Sequence, residues 1–222
     1  MKSSGAFSEL EVAGHEPAIL YVPASERPLP LIVASHGAGG VAEFECEYWR
    51  KLSEDRAIIV CPRGVRTRND QPSGYFYRTH LTLETEVLAV VAAARRTLGE
   101  RVAPDGGLYA GFSQGAIMGA GMIAPHGADF PHLVLIEGGY EYWSPQKAQQ
   151  FKASGGRRVV FVCGTPWCRD HAQQPAQWLV QAGVEARVEF ALAGHTPSGP
   201  VMQVTRAALP WLLAGDARWR SE

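Results

Sequence analysis

No stretch of this 222-residue chain reaches the roughly 18 consecutive apolar residues that a membrane-spanning helix needs. The formal net charge is only −1, so the chain has no overall attraction for nucleic acid or for an anionic membrane. The first residues contain no apolar core of a secretory signal. We therefore expect no membrane span and no nucleic-acid partner. The expected location is cytoplasmic, with a secreted form that has lost its leader as the alternative.

Cysteine is scarce, and the four present form no C-x-x-C pair. Cys168 and His171 alone would make a poor zinc site, so we expect no bound metal. Four free thiols are the first expectation for a cytosolic protein. If a disulfide does form, we expect it between Cys163 and Cys168, because they flank a short loop containing Gly164 and Pro166.

The chain also lacks internal repeats, low-complexity tracts and linkers, so residues 1–222 are expected to form one domain. Extended apolar segments alternate with segments of helical periodicity, which favours an α/β fold with a mostly parallel sheet. Strands are predicted at 7–12, 18–22, 31–35, 57–61, 107–111, 132–136, 159–162 and 185–192. Helices are predicted at 43–55, 81–98, 114–123 and 175–182, followed by a closing helix with Thr196 as its N-cap and Pro197 at its first position.

One strand runs directly into the sequence Gly111-Phe-Ser-Gln-Gly115, which matches G-x-S-x-G. This pattern is weak by itself, but a strand before it and a helix after it are the context that a catalytic serine on a tight turn requires. The small residues Gly119 and Gly121 would let the following helix pack closely on the sheet. The sequence therefore predicts that Ser113 is a nucleophile.

A serine hydroxyl needs a neighbouring base and, for acyl transfer, donors that bind the oxyanion. Among the seven histidines, His195 follows the last strand, so its loop is expected at the same sheet edge as Ser113. The backbone N–H of Gln114 is the first expected oxyanion donor, because it lies at a helix N-terminus. The second is expected from the glycine-rich loop 36–40, with Ala38 as the donor.

These motifs resemble those of the α/β-hydrolase superfamily. The run His36-Gly-Ala-Gly resembles its H-G-x-G oxyanion loop, and Gly111–Ala116 resembles the serine turn of the small phospholipase/carboxylesterase branch. Dienelactone hydrolases are similar neighbours. The resemblance implies a single-domain, eight-stranded sheet with helices on both faces and no lid domain. It also implies no cofactor and the chain order nucleophile, acid, histidine.

The acid is where the sequence departs from these relatives. They commonly carry G-x-x-Asp after the seventh strand, whereas Trp167 occupies the position of the aspartate here. Asp170 is the only acid nearby and is our predicted third member of a catalytic triad. Glu137 and Glu141, after the sixth strand, are the alternatives.

The expected function is hydrolysis of carboxylic esters or thioesters of small molecules, through an acyl-enzyme on Ser113. Little room for a lid follows the sixth strand, so we expect an open site and short acyl chains. Tyr75, Tyr140 and Trp167 are expected to contact substrate. Arginines at 63, 66, 68 and 78 either recognise a carboxylate or form a solvated loop. The alternatives are a serine peptidase on the same fold and a non-catalytic binding module, which commonly loses the serine or the histidine.

Overall fold

The computed structural model describes residues 5–66 and 74–219, and its centre is a mostly parallel sheet of eight strands in the order β1-β2-β4-β3-β7-β8-β9-β10. A separate two-stranded ribbon is formed by β5 and β6. The strands are β1 (Ala6–Leu10), β2 (Ala18–Val22), β3 (Leu31–Ser35), β4 (Ile58–Cys61), β5 (Val65–Arg66), β6 (Tyr75–Phe76), β7 (Leu108–Phe112), β8 (His132–Ile136), β9 (Arg158–Cys163) and β10 (Glu185–Phe190). Strand β2 pairs antiparallel with both β1 and β4, and the remaining pairs of the large sheet are parallel.

Six α-helices cover the two faces of the described sheet. They are α1 (Ala42–Ser53), α2 (His80–Leu98), α3 (Gln114–Met122), α4 (Pro145–Ala153), α5 (Pro166–Gln181) and α6 (Pro200–Leu212). Helices α1 and α6 pack in one hydrophobic cluster, and α2, α3, α4 and α5 pack in the other. This is the predicted architecture, a mostly parallel eight-stranded sheet with helices on both faces. Within the described residues, no helix has the length and apolarity needed to cross a bilayer.

The two faces of the sheet are separate because successive side chains of a strand point to opposite sides. In β3, Leu31 and Val33 join the cluster with α2, α3, α4 and α5, whereas Ile32 and Ala34 join the cluster with α1 and α6. All five β3 residues are buried, as expected for a central parallel strand covered on both faces.

The strand order changes direction beside β3, which pairs with β4 on one side and with β7 on the other. The loops that follow parallel strands meet at one edge, and ligands in such sheets bind at this edge near the reversal. The turns that leave β3, β7, β8, β9 and β10 are therefore neighbours in space, although they are far apart in the chain.

The helix predicted at 175–182 begins earlier in the structure, where α5 starts at Pro166. The Thr165 side chain caps it by accepting a hydrogen bond from the Cys168 N–H, and proline is favoured at the next position. The closing helix is also misplaced: α6 begins at Pro200 after Gly199, not at Pro197 after Thr196.

All four cysteines lie in the described residues and are paired, Cys46 with Cys61 and Cys163 with Cys168. The expectation of four free thiols is therefore wrong in this structure. Helix α1 packs against β4, which brings Cys46 over Cys61. The turn from β9 into α5 brings Cys168 back to Cys163, the pair expected if any formed.

Candidate active site

Ser113 lies at the apex of the turn between β7 and α3, with backbone angles of φ 50° and ψ −114°. A positive φ is uncommon and strained for a residue other than glycine, and such strain clusters at functional sites. The turn is possible only because its flanks are small. A Cβ on Gly115 would lie 2.1 Å from the Ser35 carbonyl oxygen, and one on Gly111 would lie 2.5 Å from the Ala116 nitrogen.

His195 lies in the loop between β10 and α6, and its Nε2 is 2.9 Å from Oγ of Ser113. Gly194 precedes it with φ +81°, a conformation that L side chains rarely adopt. The Phe112 ring lies beside the imidazole, with 5.2 Å between the centroids. The structure therefore brings together the predicted nucleophile and the predicted base.

The other imidazole nitrogen of His195, Nδ1, lies 3.0 Å from Oε2 of Glu137. Glu137 directly follows β8, has φ 53°, and exposes only 2% of its side chain. Its Oε1 accepts the backbone N–H groups of Gly164 and Thr165, and its Oε2 accepts the Thr165 hydroxyl. These donors contact both carboxylate oxygens and hold the side chain in one orientation.

Asp170, the predicted acid, does not reach His195. It lies in the second turn of α5, its side chain is 61% exposed, and its carboxylate accepts a hydrogen bond from Arg169 at 2.8 Å. The prediction is wrong because Asp170 was expected in a loop after β9, whereas α5 begins at Pro166 and includes Asp170. The alternative Glu141 accepts the Gly139 N–H instead, and burial raises the pKa of its carboxyl group.

The two predicted oxyanion donors belong to the serine turn and to the neighbouring turn after β3. Gln114 is the first residue of α3, so its N–H has no partner within the helix. Ala38 lies in the turn after β3, and a Cβ on the preceding Gly37 would be 3.2 Å from Cβ of Ser113. Within residues 5–66 and 74–219, neither N–H has a hydrogen-bond acceptor.

The segment around β6 connects the oxyanion loop to the serine turn. Tyr75 exchanges backbone hydrogen bonds of 2.9 Å with the loop, from the Gly39 N–H to its oxygen and from its N–H to the Gly40 oxygen. The side-chain oxygen of Gln114 accepts the Tyr77 N–H, also at 2.9 Å. These contacts fix the two donors relative to one another.

Beneath this loop, the buried His36 ring faces two carbonyl oxygens, with Nε2 2.9 Å from that of Arg63 and Nδ1 2.7 Å from that of Gly37. Tyr77 stacks on the ring at 4.8 Å between centroids. Burial lowers the pKa of His36, which favours a neutral imidazole. Its ring contacts the backbone of the loop and, among the described residues, has no hydrogen bond to Ser113 or His195.

The three predicted substrate contacts occupy different positions. Tyr75 is buried, and its ring packs under the guanidinium groups of Arg63 and Arg66. Trp167, by contrast, is 66% exposed in the first turn of α5 and stacks on His171 with 3.8 Å between centroids. Tyr140 is half-buried, and its ring centroid lies 5.7 Å from that of His171.

The four arginines considered for carboxylate recognition also differ in burial. Arg63 is buried and paired with Glu9 and Glu43, whereas Arg78 is exposed. Arg68 lies outside the described residues. A cavity of about 580 Å³ opens beside this region, lined by Gly64, Tyr77, Arg78 and Glu86 among others and by none of Ser113, His195 and Glu137.

The described residues contain one cluster with metal-ligand chemistry, formed by Glu137, Cys163 and Cys168, whose ligand atoms lie within 4.8 Å of one another. Both sulfur atoms are joined in a disulfide, which leaves the Glu137 carboxylate as the single metal-binding group of this cluster.

No known family model matches this sequence, and no curated protein matches it in sequence. Solved structures do match in fold. A putative dienelactone hydrolase from Klebsiella pneumoniae has a TM-score of 0.69 at 16% identity, with 96% of this chain and 100% of that chain covered. The S-formylglutathione hydrolase FrmB from Staphylococcus aureus has a TM-score of 0.69 at 13% identity, covering 96% and 98%.

The fluorophosphonate-binding serine hydrolase FphF, also from S. aureus, has a TM-score of 0.67 at 12% identity, covering 95% of this chain and 99% of its own. Each of these proteins matches over nearly its whole length. At such identities the likeness shows the α/β-hydrolase fold, and the chemistry of this chain has to be argued from its own residues.

Proposed function

We propose that this protein is a serine hydrolase that cleaves carboxylic esters or thioesters with the triad Ser113, His195 and Glu137. The observation that carries this proposal is one continuous hydrogen-bonded series. It runs from Ser113 Oγ to His195 Nε2 at 2.9 Å, and from His195 Nδ1 to Glu137 Oε2 at 3.0 Å. Nucleophile, base and orienting acid are recognised by this geometry and not by their position in the sequence.

The reaction begins when Oγ of Ser113 attacks the acyl carbon while Nε2 of His195 takes the hydroxyl proton. The N–H groups of Ala38 and Gln114 stabilise the negative oxygen of the tetrahedral intermediate. The imidazolium then gives its proton to the departing alkoxide or thiolate, which leaves as an alcohol or thiol. Water hydrolyses the acyl-enzyme by the same steps, with His195 again as the base.

The shape of the site favours soluble esters with short acyl chains. The His195 side chain is 55% exposed, so the triad opens directly to solvent. Only residues 137–144 connect β8 to α4, which leaves no insertion there to cover an acyl chain. We propose that the exposed Trp167 and the half-buried Tyr140 contact the substrate at the rim. Tyr75 instead acts through the backbone of the oxyanion loop.

A serine peptidase and a non-catalytic module remain the competing functions. The aligned triad argues against a module, because a protein without catalysis has no need to keep Ser113 strained beside a base. A panel of short-chain p-nitrophenyl esters, acyl thioesters and peptide anilides separates esterase from peptidase. We expect turnover of the esters or thioesters and a loss of several orders of magnitude in Ser113→Ala. Near wild-type ester hydrolysis by Ser113→Ala would refute the proposal.

The two disulfides also bear on location. Disulfides persist in oxidising compartments and are rare in reducing cytosol. We therefore propose an oxidising compartment for this protein, in place of the cytoplasm expected from the sequence.

A further inference from the structure

The two residues that follow β9 are Gly164 and Thr165. This segment contacts both Glu137 and the loop that carries His195. Their backbone N–H groups donate to Oε1 of Glu137. The Gly164 carbonyl oxygen accepts hydrogen bonds from the N–H groups of Ala193 and Gly194, both at 3.0 Å. The segment 164–165 therefore sets the position of Glu137 relative to the loop that carries His195.

The hydroxyl of Thr165 has a separate role at the second carboxylate oxygen. It donates to Oε2 of Glu137 at 3.0 Å, the same oxygen that lies 3.0 Å from Nδ1 of His195. It also accepts the Cys168 N–H at 3.2 Å as the N-cap of α5. Glutamate has one more rotatable bond than aspartate, so its carboxylate needs contacts on both oxygens to stay in one orientation.

The segment has little freedom to move. A Cβ on Gly164 would lie 2.2 Å from the Gly194 oxygen and 2.9 Å from Cγ2 of Val201. The Cys163–Cys168 disulfide closes the segment, with 5.4 Å between the Cα atoms, and links the end of β9 to the first turn of α5. Its sulfur atoms lie within 4.8 Å of the Glu137 carboxylate.

We propose that Thr165 is a positioning residue for the Glu137–His195 pair, and that the Cys163–Cys168 disulfide fixes the segment on which this positioning depends. The inference rests on the proposed function, because it assigns these residues an effect on turnover. Neither Thr165 nor the cysteines contact the reacting atoms; they act through the orientation of the carboxylate.

The test compares Thr165→Val, which keeps the shape and removes the hydroxyl, with Thr165→Ser, which keeps the hydroxyl. We expect Thr165→Val to lower kcat about tenfold with little change in KM, the size expected for a lost hydrogen bond to a charged group. Thr165→Ser should stay within about twofold of wild type. The midpoint of the acid limb of the kcat/KM pH profile should move to lower pH in Thr165→Val only, because a carboxylate no longer held in line with Nδ1 of His195 stabilises the imidazolium less.

Thr165→Val also removes the N-cap of α5, and Ser144→Ala is the control for the loss of a helix N-cap. Ser144 caps α4 in the same way, by accepting the Lys147 N–H at 3.2 Å. This variant should lower the melting temperature and leave kcat unchanged. The disulfide has its own matched pair, Cys163→Ala/Cys168→Ala against Cys46→Ala/Cys61→Ala, and only the first should lower kcat in protein shown to be folded by circular dichroism.

Proton NMR gives a readout that needs no substrate. The proton on Nδ1 of His195 should resonate far downfield in wild type and Thr165→Ser, and shift or broaden in Thr165→Val. An unchanged kcat and an unchanged resonance in folded Thr165→Val would overturn the role of Thr165. Equal losses of kcat in both cysteine double variants would overturn the role of the disulfide. Absence of both ester and thioester hydrolysis in wild type, with the resonance pattern as expected, would instead refute the proposed function.

Discussion

Replacement of Glu137 by glutamine changes one atom of the carboxylate and removes its charge. In the folded protein Oε1 accepts two backbone N–H groups, from Gly164 and Thr165. The amide oxygen of a glutamine must take this place, because an amide NH₂ there would face donors. Its NH₂ group then takes the place of Oε2, which lies 3.0 Å from Nδ1 of His195 in the wild-type protein.

This orientation reverses the required tautomer of the imidazole. Nδ1 must now accept a hydrogen bond, so the ring proton moves to Nε2, which faces Oγ of Ser113 at 2.9 Å. A protonated Nε2 cannot remove the serine proton. We expect kcat to fall on the order of 10⁴-fold, equivalent to about 5 kcal/mol of barrier, as for an amide in place of a triad carboxylate.

The assay is kcat for a short-chain p-nitrophenyl ester, with circular dichroism and melting temperature to show that each variant is folded. Asp170→Asn is the matched control. Its carboxylate is exposed and pairs with Arg169, so its kcat should stay within about twofold of wild type. Loss of turnover in folded Asp170→Asn together with retained turnover in Glu137→Gln would refute the assignment of the acid.

Three further predictions concern the substrate, the cysteines and one buried histidine. The value of kcat/KM should decrease from p-nitrophenyl acetate to long-chain esters, and a maximum at long chains would contradict the open site. Mass spectrometry without reduction should find the pairs Cys46–Cys61 and Cys163–Cys168, and free thiols at either pair would contradict the structure. Burial lowers the pKa of His132 from 6.5 to about 4, despite its contact with Asp216. The unfolded chain therefore binds the extra proton between these pH values. The free energy of unfolding should fall by about 2 kcal/mol from pH 7 to pH 5 through this group, and urea titrations of wild type and His132→Asn should differ by that slope.

Much of the fold could be predicted because its signals are local. Buried strands such as β3 and β8 are continuous apolar runs, and the glycines around Ser113 mark a turn that no larger residues could form. His195 could be found because it follows the last strand of a parallel sheet, where catalytic loops meet.

Selection of the acid needed information on which strand ends meet, and the family resemblance favoured the loop after β9 over the end of β8. Two local signals were available. Thr165 followed by Pro166 is a helix N-terminus, which places Asp170 on a helix. Glu137 is a charged residue at the end of a buried strand and is followed by Gly138 and Gly139, of which Gly139 has φ +83°.

The contacts of Thr165 could not be predicted in the same way. They depend on the distance between the ends of β8 and β9, which the parallel register of Leu133 with Val159 sets. The cysteine pairs show the same limit, because the Cys46–Cys61 pair forms only once α1 packs on β4.

The central claim is that Ser113 is an activated nucleophile, and covalent labelling tests it most directly. A fluorophosphonate should react with the native protein, and peptide mapping by mass spectrometry should locate the adduct on Ser113. Ser113→Ala and heat-unfolded wild type should not be labelled, because the first lacks the nucleophile and the second lacks the base beside it. A native protein that remains unlabelled, or an adduct on another residue that persists in Ser113→Ala, would contradict the account.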